Sequence, residues 1–355
     1  MNILNWSNKM KFRSLIYTLL IFTLESASAQ AETAQHQTGL ITLKITSPDS
    51  SRHLNGYIWY PTHQQTGAQS AHGNAVWENI SVIPNAQPID GKLPLFIFSH
   101  GMFGNARNQA WLASALSQSG YFVAAINHPG TSTFLRDAYD RRQLWKRPQD
   151  ISRTIDHIIN HPDFAKRVDE NRIFMAGHSL GGFTAVLLAG GRYDPDKIAT
   201  HCVQFPQDFI CRIVKEWRIA KTAEDQSKMS QDLSDSRIAG FAVFDLGGTQ
   251  SFSTESLSKI ERPLLVIGAK ANYANINLDG ESRALVAALP AQSKRYLEPE
   301  GLSHFDFLGV CTDQALDILK AEDPEDVFVC ENGGDARREK HQMLTQAVLN
   351  FFENL

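Results

Sequence analysis

A serine hydroxyl becomes a nucleophile only when a base takes its proton and fixed donors shelter the charge that develops on the substrate. One stretch of the sequence offers such a serine. From Arg172 to Phe183 the chain reads RIFMAGHSLGGF, an apolar run that enters Ser179 and is followed at once by small residues. G-x-S-x-G between a strand and a helix is a sharp elbow that exposes the serine Oγ, and its glycines are needed because side chains there would collide with neighbouring backbone. The bland alternative is an ordinary strand-to-helix turn.

The base must be a histidine, and the chain has 12. The order nucleophile, acid, histidine singles out His304, in the loop LEPEGLSHFDF that follows a strand expected over Lys294 to Leu297. His178 lies inside the elbow and points away from the serine. His128, in NHPG after a strand end, reads as structural. His157 and His161 have helical spacing but lack the adjacent glutamate of a zinc protease, so they read as helix-terminal surface residues. Two carboxylates compete to orient His304. Asp245 directly follows a strand over Ile238 to Phe244 and precedes two glycines; Asp279 lies about ten residues beyond the strand Pro263 to Ile267. A carboxylate that fixes one imidazole tautomer must be rigidly held, which favours the strand end. SHGMFGN, from Ser99 to Asn105, follows the first buried strand and is suited to donate a backbone N–H to an oxyanion. Met102 there, and Leu180 after the nucleophile, are the expected donors.

These residues need a scaffold of strands ending at one edge. Leu93–Ser99, Tyr121–Ile126, Arg172–Ala176, Phe241–Phe244 and Pro263–Ile267 are short, nearly continuous apolar runs, as in strands buried on both faces. Helical patterns lie between them at Gln109–Ser119, Ile151–Ile159 and Phe183–Leu188. The alternation predicts an α/β fold with a mostly parallel sheet covered on both sides. Gly39–Thr46 and Leu54–Tyr60 alternate polar and apolar residues and predict an opening antiparallel hairpin. Residues 193–237 leave this rhythm for a polar, charge-rich, helical insertion placed where a lid would sit. The tail from Gly334 predicts a final amphipathic helix with Met343, Ala347, Val348 and Phe351 on one face.

Lys9, Lys11 and Arg13, an apolar stretch from Leu15 to Leu24, and the A-x-A signal Ala27 to Ala29 predict a signal peptide over 1–29. About ten apolar residues are too few to span a bilayer, for which roughly 20 are needed, so no transmembrane segment is expected after cleavage. The mature chain, 30–355, is expected to be one exported domain, periplasmic or secreted. Export lets the four cysteines pair, and local pairing predicts Cys202–Cys211 and Cys311–Cys330 in loop-like surroundings.

Composition removes other classes. With 43% hydrophobic and 20% charged residues the chain can bury a core, and 34 basic against 38 acidic residues leave no footprint for nucleic acid. No cysteine sits in an elbow, and no ligand spacing calls for a metal or other cofactor.

The SHGMFGN and NHPG segments, GHSLGG, Phe244-Asp245 and Gly301 to Phe305 together resemble the platelet-activating-factor acetylhydrolase and dienelactone-hydrolase-like branch of the α/β-hydrolases. The resemblance runs from about Leu93 to the C-terminus. It implies metal-free hydrolysis of carboxylic esters through an acyl-serine, on short-chain acyl esters or phospholipid acyl groups, with the acid at Asp245. Dienelactone hydrolases proper use a cysteine nucleophile, so that substrate does not follow for Ser179. A serine peptidase and a non-catalytic binding protein on the same fold are the competing expectations. Loss of a member of the triad would mark the latter, and none is lost.

Overall fold

The computed structural model describes residues 36–47, 50–271 and 276–355. The expected signal peptide over 1–29 lies outside the described residues, and no helix among them is long and apolar enough to cross a membrane.

The strands form one sheet in the order β10-β9-β8-β7-β5-β6-β2-β1-β4-β3. The opening hairpin is β1 (Gln37–Ser47) and β2 (Ser50–Thr62), antiparallel as expected. Short β3 (Gln69–Ala71) and β4 (Ile80–Pro84) extend the sheet beyond it; both are too brief, and β3 too polar, to carry a periodic signal. Then come β5 (Leu93–Ser99), β6 (Phe122–Asn127), β7 (Val168–His178), β8 (Ile238–Phe244), β9 (Leu264–Ile267) and β10 (Lys294–Leu297), all parallel.

The unbroken apolar runs have a simple cause. Leu95 and Ile97 of β5 point into one core and Phe96 and Phe98 into the other, so neither face has water to meet. On the Leu95 side the sheet is covered by α3 (Lys146–Ile159) and α4 (Leu180–Ala189), and on the Phe96 side by α1 (Ala110–Gln118) and the C-terminal helix. A short helix, α2 (Ala138–Arg141), precedes α3.

The insertion is helical: α5 (Pro195–Gln204), α6 (Phe209–Trp217) and α7 (Ala223–Ser230) lie between α4 and β8. Side chains of Asp194, Asp208 and Thr222 cap the three N-termini, which would otherwise leave backbone N–H groups unsatisfied. Further on are α8 (Thr254–Leu257), α9 (Ala284–Ala288), α10 (Ala315–Glu322) and α11 (Asp335–Phe352). Cysteines 202 and 211 pair, as do 311 and 330. The first bridge joins two helices rather than the loop-like surroundings expected.

The buried stripe of α11 also differs from expectation. It is Arg337, His341, Leu344, Val348 and Phe352, while Met343 is exposed. Val348 is buried as expected and Phe351 still packs against the core, but Phe352 packs edge-on against Phe96 at 4.7 Å and draws the series Leu344, Val348, Phe352 inward. Burying a ring of that kind contributes about 1.5–3 kcal/mol.

Candidate active site

β5 and β7 are neighbours whose connections leave in opposite directions, β5 to β6 on one side and β7 to β8 on the other. A crevice must open at their carboxyl ends, where parallel sheets hold ligands. Register sets what meets there. Ser99 pairs with Gly177 and His178 with Phe244, so the turn after β5, the elbow after β7 and Asp245 after β8 emerge at one level.

Ser179 has φ 55° and ψ −117°, a conformation that side chains other than glycine rarely adopt. Its N–H donates to Phe244 O at 2.9 Å, which ties the strained residue to β8. The flanking glycines are required by contact. A Cβ on Gly177 would lie 2.0 Å from Gly181 O, and one on Gly181 would lie 1.9 Å from Ser99 O. Only without those carbons can α4 start so close to the sheet.

His304 is buried at the start of a single 3₁₀ turn, His304–Phe307. Ser303 and Asp306 cap the turn reciprocally: the Asp306 carboxylate accepts from Ser303 N–H (2.7 Å) and Ser303 Oγ (2.9 Å). Lys340 of α11 donates to the same carboxylate at 2.7 Å, and His341 Nε2 donates to Asp306 O at 2.9 Å. His304 Nδ1 donates to Asp245 Oδ2 at 2.7 Å, which leaves Nε2 as the basic nitrogen. Asp245 has φ 40°; its N–H donates to Ile267 O at 2.8 Å and its Oδ1 accepts from Ala269 N–H at 2.8 Å. Two bonds thus fix the carboxylate and a third fixes its backbone. Asp279, the other candidate, is 80% exposed and pairs with Arg283 at 2.8 Å, away from His304.

Ser179, His304, Met102 and Leu180 all line one cleft of about 1510 Å³. His178 donates from Nε2 to His304 O at 2.8 Å; burial, then the neighbouring His304, holds its pKa well below the usual range, so it is a neutral spacer. His128 is fully buried and bonds Asp150 and Ser99, in the structural role expected. His157 and His161 sit half-buried at the end of α3 with their rings 5.5 Å apart. Among the described residues no cluster of His, Cys, Asp or Glu could hold a metal ion.

Several lining residues were not readable in advance. Phe209, Ile213 and Trp217 come from α6, Trp77 from before β4, and Phe328 from the turn closed by the second disulfide. The α6 residues show only an amphipathic pattern shared with ordinary core helices. Glu281, 4% exposed in a π-helical turn (Asp279–Arg283), also lines the cleft and accepts from Thr249 N–H at 2.7 Å. Burial pushes its pKa up to about 7, opposed by N–H bonds from Gly248 and Thr249 and aided by the charge of Asp208.

A family model described as Hydrolase_4, serine aminopeptidase S33, matches residues 93–204. No curated protein matches the chain. Among solved structures it is similar to a ferulic acid esterase from Streptomyces cinnamoneus, with a TM-score of 0.60 and 20% identity over 92% of each chain.

Proposed function

The fold is that of the α/β-hydrolases, and on it we propose that the chain is an exported serine hydrolase that cleaves carboxylic esters through an acyl-serine. The observation that carries the reading is the 2.7 Å bond from His304 to Asp245 beside a strained Ser179 in one cleft. Ser179 Oγ attacks the ester carbonyl as His304 Nε2 takes its proton. The Met102 and Leu180 N–H groups stabilise the oxyanion; His304 then protonates the departing alcohol. Water, deprotonated by His304, attacks the acyl-serine and releases the acid. Asp245 holds the imidazole in the required tautomer and stabilises its charged form.

The acetylhydrolase-like motifs favour short-chain acyl esters or phospholipid acyl groups, and the aromatic lining from Trp77, Phe209, Trp217 and Phe328 suits an apolar portion of such a substrate. Both disulfides accord with export to an oxidising compartment. The family description keeps one other reading open, a serine peptidase with the same nucleophile.

A series of p-nitrophenyl esters, assayed beside aminoacyl anilides, tests the choice, with a fluorophosphonate and mass spectrometry locating the nucleophile. Ester turnover and a single label on Ser179 are expected. Faster anilide cleavage would give the peptidase instead, and no label would leave a binding protein. N-terminal sequencing of the exported chain is expected to begin near Gln30.

A further inference from the structure

α3 carries a guanidinium that solvent does not reach. Arg147 is 1% exposed, and taking a guanidinium out of water is costly. Apolar residues of similar volume are often as stabilising or more so, which makes stability a poor explanation for it. The bonds it makes supply a better one.

Arg147 Nη2 donates to the carbonyl of His100 at 2.5 Å and to Ser99 Oγ at 3.0 Å, both at the turn that carries Met102. Nη1 donates to Thr131 Oγ1 at 2.6 Å, and the Thr131 carbonyl accepts from Phe103 N–H at 2.8 Å, so the far end of the turn is held as well. Nε donates to Thr184 Oγ1 at 3.0 Å, and that hydroxyl donates in turn to Leu180 O at 3.0 Å. One rigid fork therefore holds the His100 carbonyl directly and, through Thr131 and Thr184, the backbone of Phe103 and of Leu180, the residue expected to supply the other oxyanion donor.

A second layer locks the first. Asp150 takes a bidentate pair from Arg52 at 2.8 and 2.7 Å and a bond from His128 Nδ1 at 3.0 Å. His128 Nε2 reaches Ser99 Oγ at 2.9 Å, and its backbone N–H donates to His100 Nε2 at 3.1 Å. Burial keeps both His100 and His128 neutral, so each ring presents one donor and one acceptor.

We propose that Arg147 is a positioning residue of the acyl-transfer centre: without touching substrate, it sets the spacing between the Met102 and Leu180 N–H groups by clamping the turn after β5 to the first turn of α4. The proposal rests on the serine-hydrolase reading above. It predicts damage confined to the transition state, because the two donors meet full charge only there.

The test is Arg147→Met, with Thr131→Val and Thr184→Val each removing one arm while leaving the guanidinium in place. Rates are expressed per site titrated by fluorophosphonate, since a merely structural role lowers the number of sites and not the turnover of each. Arg147→Met is expected to lower kcat per site about 30-fold or more with KM within about threefold, and to weaken a trifluoromethyl ketone inhibitor by the same factor. The single-arm variants are expected to lose about three- to tenfold by the same measures. Should Arg147→Met not fold, the two threonine variants decide. Turnover per site within about twofold of wild type in the folded variants overturns the proposal. If wild-type Ser179 takes no label, the serine-hydrolase reading falls instead, and this assignment with it.

Discussion

Around Ser179 the chain has almost no room to move, whereas around Trp217, on the same cleft, short helices pack on the core through one face and are joined by a disulfide. At the floor, hydrogen-bonded strands end in register, and an added methyl on Gly177 or Gly181 would sit within 2.0 Å of a carbonyl oxygen. At the rim, α5 and α6 are short helices joined by Cys202–Cys211, and Trp217 rests on the Phe103 ring at 5.4 Å. Helices of that length do not hold themselves in water. Position is specified by backbone contact at the floor and by side-chain packing at the rim.

The sharpest way to break this contrast is at its centre. Ser179→Ala is expected to lower ester turnover by about 10³-fold or more with unchanged thermal unfolding; a loss under about tenfold would remove the nucleophile from the floor. Asp245→Asn is expected to cost about 10³- to 10⁴-fold in kcat, whereas Asp279→Asn, on the surface, stays within about twofold. The reverse order would move the acid.

Gly181→Ala sharpens the comparison by changing one carbon. Its Cβ would meet Ser99 O at 1.9 Å, so α4 must shift. The expected result is a lower thermal midpoint together with about tenfold or greater loss of kcat. Ile213→Ala, a larger truncation on the rim, is expected to change KM and acyl-length preference while leaving kcat nearly intact.

Replacing Cys202 and Cys211 by serine is expected to cost about 2–3 kcal/mol in the chain-entropy model and to raise KM more than it lowers kcat. Equal losses in both would mean the rim is as tightly specified as the floor. A test confined to pH lies where the two regions meet, at Glu281 beside Asp208. Its folded pKa of about 7 lies above the ordinary 4.5, so the native state holds its proton longer than the unfolded chain does. Stability from this group is therefore full below about pH 4.5 and declines as pH rises towards 7, by at most about 1.4 kcal/mol per pH unit. Glu281→Gln should flatten that slope in urea titrations between pH 5 and 7.5; identical slopes would show the carboxyl ionising freely.

The same contrast explains what could be read in advance. Elbow, histidine and strand-end acid are local patterns imposed by local geometry, so the strained turn at Ser179 and the bond between His304 and Asp245 could be expected of these candidates from their glycines and flanking apolar runs. The parallel strands were legible for the same reason, each run being buried on both faces. Cysteine pairing was legible because short loops leave few partners. Arg147 was not: its bonds reach residues 16 to 48 positions away, and nothing next to it in sequence marks a charge as buried. In the stripe of α11 Val348 was legible, but Met343 stood in for Leu344, which differs by one position, and only the pocket that receives Phe352 decides between them. Rim residues such as Phe209 and Phe328 resemble core residues until a cleft is seen beside them.

Each disulfide closes on its own stretch of rim, 202 to 211 and 311 to 330, and neither is anchored in a strand of the sheet. Lengthening such a stretch adds only about 0.6 kcal/mol of closure entropy for each doubling of its loop. The rim can therefore lengthen at small cost in stability while the floor keeps its register.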